Sequence, residues 1–330
     1  MEKETTKTAL FVGGDVRSIY AAKALIRMGF DARFAAKDAR KARLALAEAG
    51  APEIPAEPLF EALGSLCRSG GSGGNSGDSG ALDGDSSPGG GTLDGGSTVG
   101  GAVILPVPVC RDGVNIADSL FCEKTPVAAI LSALSPGTRV FCGMATAAVA
   151  DAARDARVEL TDYYADESFL VANAALTAEG ALAELIRLSP RALLRSRAVV
   201  FGYGRCASQL ARRLVALGSR VTVVARSAEK RALAEADGAA AISPSDAVKA
   251  CANADFAVNT VPAPVIGARE AAALAGNGAF VLELASRSGL SPDAAGLVRV
   301  VAAPGLPGRY SPEAAGEFVA ASVAASLPLR

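Results

Sequence analysis

Apolar residues in this chain come in short runs closed by glycine or proline, and between the runs they recur at helical spacing. "TALFVGG" reads as a strand ending in glycines, and "DVRSIYAAKALIRMG" follows as a helix with Gly29 as its stop. "FDARFAA" returns as a strand, "ARKARLALAEAG" is helical, and "AVILPVP" reads as a buried strand interrupted by Pro106. "TRVFCG", "ATAAVADAARDA" and "RVELTD" continue the alternation, which predicts an α/β fold with a parallel sheet. Residues 64–101 break the pattern. Glycine-rich and almost free of large apolar side chains, they cannot offset the entropy of ordering and read as a disordered surface insertion.

A long helical pattern, "DESFLVANAALTAEGALAELIRLS", leads into the second half. There "AVVFGYGRCASQLARRLVALGSRVTVVARS" starts a new strand–helix–strand unit, continued by "ADFAVNTVP" and "AFVLELAS". "SPEAAGEFVAASVAASL" predicts a last helix, with Ser311 as N-cap and Pro312 at the first helical position. The expected organisation is a first α/β domain over 1–172 carrying the substrate and catalytic groups. A nucleotide domain over 173–310 includes the linking helix, and a helix over 311–330 packs back between the two.

Composition narrows the chemistry. Among 330 residues the formal net charge is −1 and half the residues are hydrophobic, which gives no basic face for nucleic acid. No uninterrupted apolar run reaches bilayer length, and the charged start "MEKETTKTAL" is no signal peptide, so a cytoplasmic protein without membrane or nucleic-acid partners is expected. The six cysteines have no metal-ligand spacing and read as reduced, mostly buried thiols, with no metal site. There is no histidine. Acid–base work therefore falls to Asp, Glu, Lys, Tyr, Cys or water, which excludes catalytic-histidine dehydrogenases and His-triad hydrolases.

"FGYGRCA" supplies Gly202, Gly204 and Ala207 in a G-x-G-x-x-A spacing, with Tyr203 and Arg205 between them. Gly202 permits the tight turn, Gly204 lets a pyrophosphate approach the backbone, and Ala207 lets helix and strand pack closely. The motif alone also fits an ordinary glycine turn, but the flanking strand, helix and second strand favour a dinucleotide site. Where that second strand ends, an acid would hold the ribose of NAD. "VTVVARSAEK" instead offers Arg226, Ser227 and Lys230, cationic and hydroxyl donors suited to a 2′-phosphate, which points to NADP(H). A solvated basic turn is the plainer alternative. "VNTVPAP" places Asn259, Thr260, Val261 and Pro262 at another strand end, where a nicotinamide ring would lie, and "APGLPG" sets Gly305 in a rigid loop nearby. The fold class expected is two Rossmann-like parallel-sheet domains across a cleft, joined by long helices.

In the first domain, "GGDVR" puts Gly14, Asp15 and Arg17 at a strand-to-helix turn without a third glycine, more an anion site than a dinucleotide loop. Asp15 capping the helix is the plain alternative. Asn173 and Thr177 share a face of the linking helix, with Glu179 about 160° away from Thr177. These polar positions line a cleft or are simply part-exposed. Arg287 in "LASRSG" is a further anion candidate.

Taken in order, "GGDVR", "VILPV", "NAALTAEGA", "VFGYGR", "VTVVARS", "NTVP", "LASRSG" and "APGLPGRYSPEAAG" resemble the dipicolinate synthase A-subunit family over nearly the whole chain outside 64–101. Leu176, Ser288 and Leu290 depart from that family's pattern, which leaves the shape of those loops open. The resemblance implies a two-domain pyridine-nucleotide oxidoreductase of the CH–CH type. It would oxidise dihydrodipicolinate to dipicolinate with NADP⁺ during sporulation, alongside the flavoprotein-like B-subunit of dipicolinate synthase. Such a dicarboxylate asks for spaced cations, for which Arg17 and Arg287 are the candidates, with Gly14, Asn173 and Thr177 beside them. Asp15, Glu179 or water would take the proton, and a homo-oligomer stays open. Two rivals remain: a shikimate dehydrogenase-like NADP enzyme acting on another small carboxylate, and a non-catalytic protein that binds nucleotide for its partner.

Overall fold

A computed structural model describes residues 7–68 and 101–327. The chain divides into two compact units, Met1–Ala165 with Val319–Arg330, and Asp166–Phe318. The first division falls at the start of the linking helix, not at 172/173 within it, and that helix packs against the helices Arg205–Ala216 and Leu306–Tyr310 of the second unit. The second falls inside the last helix, so the residues from Val319 onward belong with the first unit.

In the first unit, β1 (Thr8–Val12), α1 (Val16–Arg27), β2 (Asp31–Ala36), α2 (Ala39–Glu48), β3 (Ala56–Pro58) and α3 (Leu59–Arg68) form one half. β4 (Ala102–Ile104), α4 (Val127–Ser132), β5 (Arg139–Cys142), α5 (Ala147–Asp155) and β6 (Glu159–Asp162) form the other. The strands build one parallel sheet in the order β3-β2-β1-β4-β5-β6. Strands covered on both faces read as continuous apolar runs, as "ALFV" does. Phe11 stacks on Phe34 at 5.2 Å, and Phe121 meets Phe34 edge-on at 5.7 Å. The insertion expected over 64–101 starts later than its composition suggests. Gly64–Arg68 are the last turns of α3, held by the buried Leu59, Ala62, Leu63 and Leu66 of the same helix. Residues 69–100 lie outside the described residues.

The second unit begins with α6 (Glu167–Leu188), capped by the Asp166 side chain. β7 (Arg197–Phe201), α7 (Arg205–Ala216), β8 (Arg220–Val224), α8 (Ala228–Ala236) and β9 (Ala240–Ile242) follow. α9 (Ala247–Cys251), β10 (Phe256–Asn259), α10 (Ala268–Gly276), β11 (Phe280–Glu283), β12 (Arg299–Ala302) and α11 (Leu306–Tyr310) complete it, and α12 (Pro312–Ser326) starts at the expected proline. Its parallel sheet runs β12-β11-β10-β7-β8-β9. Counted from its own first strand, this repeats the topology of the first sheet, and both are the doubly wound Rossmann order 3-2-1-4-5-6.

By length and mean hydropathy alone, 1.4 over its most apolar window, α6 is long and apolar enough to cross a membrane. Its Ala178, Ala181 and Leu185 are instead part of the second unit's core. The described cysteines are free; Cys110, Cys142 and Cys251 are buried, and burial pushes the thiols of Cys142 and Cys251 up to about 12. Cys122 departs from the expected burial and is exposed.

Candidate functional site

Strand order in a doubly wound sheet reverses once, and the loops leaving the two strands at that point diverge to open a crevice. In the second unit these strands are β7 and β10, so the crevice lies between Gly202–Gly204 and Thr260–Pro262. Gly202 takes φ +92°, and a Cβ there would sit 2.7 Å from the Thr260 hydroxyl and the Val261 side chain, so only glycine fits. Gly204 caps α7, and a Cβ on it would meet nothing within 4 Å. The space beside Gly204 at the start of α7 is thus open, as the approach of a pyrophosphate requires. Ala207 is fully buried against the sheet, as its place in the motif demands.

Two motif side chains have partners that the sequence does not announce. The Tyr203 hydroxyl donates to Asp237 at the end of α8, which also accepts from Arg212 Nε at 2.8 Å. Burial and the Asp237 carboxylate push the Tyr203 phenol up to about 12. Arg205 pairs with Glu167 of α6 through contacts of 2.8 and 2.5 Å. Between α7 and α8 lies a cavity of about 440 Å³, lined by Arg205, Ser208 and Arg212 on one side and Lys230 and Leu233 on the other. At the end of β8, Arg226 and Lys230 are exposed, Ser227 caps α8, and Arg231 donates to the carbonyls of Ala225 and Arg226. No acidic side chain stands in the turn from Ala225 to Ala228.

The "NTVP" segment is held from below. Asn259 is fully buried; its Nδ2 donates to Val261 O at 2.9 Å and Glu283 Oε1 at 2.7 Å, while its Oδ1 accepts from Val261 N. With these bonds made, Asn259 shapes the loop from below. Thr260 is likewise engaged, its hydroxyl donating to Phe201 O at 2.8 Å. Val261 and the exposed Pro262 remain at the loop's surface. Glu283, which no motif in the sequence singles out, is also buried. It accepts from Ala285 N and Gly289 N as well as Asn259, and so closes the loop whose exposed tip is Arg287. Gly305, in the left-handed region at φ +66°, starts α11.

Asn173 and Thr177 are half-buried on α6, with the Thr177 hydroxyl bonded back to Asn173 O at 2.8 Å. Glu179 is exposed and lies 3.8 Å from Arg213 of α7. Two positions on from Thr177, it lies on another face of the helix, so the two do not form one polar site. On the buried side of the same helix, Glu184 accepts from Arg187, Arg309 and the Tyr310 hydroxyl. Burial works against its charge, but these partners outweigh it and hold the carboxyl below its ordinary range.

In the first unit the crevice falls between β1 and β4. Gly14 takes φ +115°, and a Cβ there would lie 2.1 Å from the Ser18 hydroxyl. Asp15 caps α1 through Arg17 N, and the Arg17 guanidinium grips the same carboxylate through Nε and Nη2. Nη2 also donates to Val107 O at 2.5 Å, which ties the two crevice loops together. Asp15 is therefore both cap and ion-pair partner, and neither charge stands alone. Burial works against the Arg17 cation, yet Asp15 more than compensates and raises its pKa. Arg17 Nη1 makes no bond among the described residues beyond these. Below lies a void of about 10 Å³, beside Tyr163, whose buried hydroxyl donates to Leu105 O.

A glycine turn at the switch point of a complete doubly wound sheet, followed by an open helix N-terminus, defines a Rossmann-type dinucleotide fold. The family described as "NADP oxidoreductase coenzyme F420-dependent" matches residues 197–279, from β7 into α10. The chain is similar to the A-subunit of dipicolinate synthase from Bacillus subtilis, with 26% identity over 185 residues, or 55% of this chain. The match spans 62% of that curated relative's length. Among solved structures, the dipicolinate synthase A-subunit from Bacillus halodurans superposes with a TM-score of 0.76 at 20% identity, covering 98% of this chain and 99% of that one. Its Bacillus subtilis counterpart gives 0.72 at 20% identity over 98% and 96%. A transhydrogenase from Sinorhizobium meliloti gives 0.60 at 14% identity over 97% and 93%, a likeness of fold alone. The resemblance read from the motifs is borne out by sequence and by fold.

Proposed function

We propose that this chain is an NADP-dependent oxidoreductase that converts dihydrodipicolinate to dipicolinate during sporulation, working with the B-subunit of dipicolinate synthase. The observation that carries the cofactor part is the turn after β8, where Ala225–Ala228 offers no acid to hold the ribose of NAD and Lys230 lines the cavity that borders Gly204. Similarity to the dipicolinate synthase A-subunit supports the substrate. Gly202–Arg205 would hold the pyrophosphate, and Val261, Pro262 and Gly305 would border the nicotinamide. NADP⁺, when bound, supplies the hydride acceptor.

The ring gives up one hydride and one proton and becomes aromatic, so the step needs positioning more than a tuned imidazole. The exposed Arg287, in the same unit as the nucleotide loops, is suited to a carboxylate of the substrate. The proton passes to water. Glu179, facing Arg213, is assigned no part in the step.

Calorimetric titration with NADP⁺ and NAD⁺, then turnover of dihydrodipicolinate with and without the B-subunit, tests this reading. The expected result is tighter binding of NADP⁺ and formation of NADPH together with dipicolinate. Tighter binding of NAD⁺ would overturn the cofactor assignment. Absence of dipicolinate under both conditions would overturn the reaction. A non-catalytic role draws support from the engagement of Asp15 with Arg17 and of Glu179 with Arg213, and it predicts that this chain binds nucleotide while the B-subunit performs the oxidation by itself.

A further inference from the structure

The cationic side chains near the nucleotide loop do not all face the same space. Arg226 is absent from the lining of the cavity between α7 and α8, whereas Lys230, Arg212 and Arg205 line it. Arg205 is neutralised by Glu167, and Arg212 shares Asp237 with the Tyr203 hydroxyl. Lys230 has no acidic partner among the described residues, which leaves one uncompensated positive charge in the cavity. Arg212 commits only Nε to Asp237, so its two terminal nitrogens remain donors. Leu233, nearly half exposed at 46%, adds an apolar wall to these cations.

We infer that this cavity is the subsite for the 2′-phosphate of the dinucleotide, read by Lys230 and Arg212, with Arg226 outside it. The inference rests on the nucleotide reading above and deepens it. Three features support it together. The cavity borders Gly204, where the pyrophosphate would lie, so a neighbouring phosphate of the same ligand is within its neighbourhood. Its volume of about 440 Å³ is within the range of small-ligand sites. Tyr203 lies in the glycine loop itself and shares Asp237 with Arg212, so the loop that takes the pyrophosphate and the cation offered to the second phosphate are fixed to one carboxylate. Asp237 is then a positioning residue: it holds Arg212 by Nε and leaves the fork free.

The test uses the full chain and two fragments, adenosine 2′,5′-bisphosphate and 5′-AMP, besides NADP⁺ and NAD⁺, with dissociation constants from calorimetry. Lys230→Gln and Arg212→Gln are each expected to weaken NADP⁺ and the bisphosphate about tenfold, the loss of one charge-assisted contact, with NAD⁺ and 5′-AMP changed less than about twofold. Arg226→Gln is expected to change NADP⁺ affinity less than about threefold. Asp237→Asn should follow Arg212→Gln, and Tyr203→Phe should keep the preference for the bisphosphate. Lys230→Gln removes no packing and serves if Arg212→Gln disturbs the fold. A wild-type preference for NADP⁺ that survives Lys230→Gln, or that Arg226→Gln abolishes, overturns the inference while leaving the cofactor assignment intact. A wild-type chain that binds both dinucleotides equally overturns that assignment and the inference with it.

Discussion

Glu283 carries more of the second unit's loop structure than its place in "AFVLELAS" suggests. Three donors converge on its carboxylate from Asn259, Ala285 and Gly289. In Glu283→Gln the amide group must set its NH₂ against an N–H that formerly donated. The variant should therefore lose about 1–3 kcal/mol of stability, measured by urea denaturation, with faster amide exchange at Ala285 and Gly289. An unchanged midpoint would show that the network carries no stability. The dinucleotide residues are legible in the sequence because their roles are local: turn, cap and close packing sit within six positions. Glu283 is not, because its partner lies on the neighbouring strand, and no local pattern announces an acid that serves backbone amides. For the same reason Asn259 reads as a ligand contact, since a polar residue at a strand end looks alike whether it points at a ligand or down into its own loop. Asp15 and Arg17 are legible as residues but not as a pair. Only the turn at Gly14 brings the guanidinium back onto the cap.

α6 and α11 form a second scale of organisation. Glu184, buried on α6, receives Arg309 and Tyr310 from α11 and Arg187 from its own helix. Replacing it with Ala leaves the Tyr310 hydroxyl and two half-exposed arginines without their acceptor. The expected cost is about 1–3 kcal/mol, with amide exchange over Leu306–Tyr310 rising further than over α7. Exchange that keeps its wild-type rate in α11 would mean that apolar packing alone docks that helix. This docking explains why "GRYSPEAAG" looks specific without revealing a purpose: its arginine and tyrosine answer to a glutamate far earlier in the chain. The larger elements are visible from apolar runs and helical spacing. β3, with three residues, and α4, with six, are too short to show a period. The end of α3 is hidden by a composition, with Gly64 and Ser65, that belongs to neither helix nor loop. Its apolar face, ending at Leu66, decides the matter.

At the scale of the whole molecule, the first unit is built from two stretches separated by the entire second unit. Val319, Ala320, Val323 and Leu327 are all buried, the most accessible of them 6% exposed. A chain stopped after Phe318 should unfold its first unit at lower urea, by about 3–6 kcal/mol from the lost burial of these side chains, while Asp166–Phe318 keeps its own transition. Equal midpoints for the truncated and full chains would mean that the returning segment contributes nothing to that core. The same arrangement sets an order of events on the ribosome. The second unit is contiguous and can close as soon as Phe318 has emerged. The first must wait for residues made after it. At a synthesis rate of about 5–20 residues per second, that wait lasts roughly 8–30 s. For that interval the nascent first unit exposes the apolar seat that Val319–Leu327 will fill, which makes it the stretch of this chain most in need of a holding chaperone.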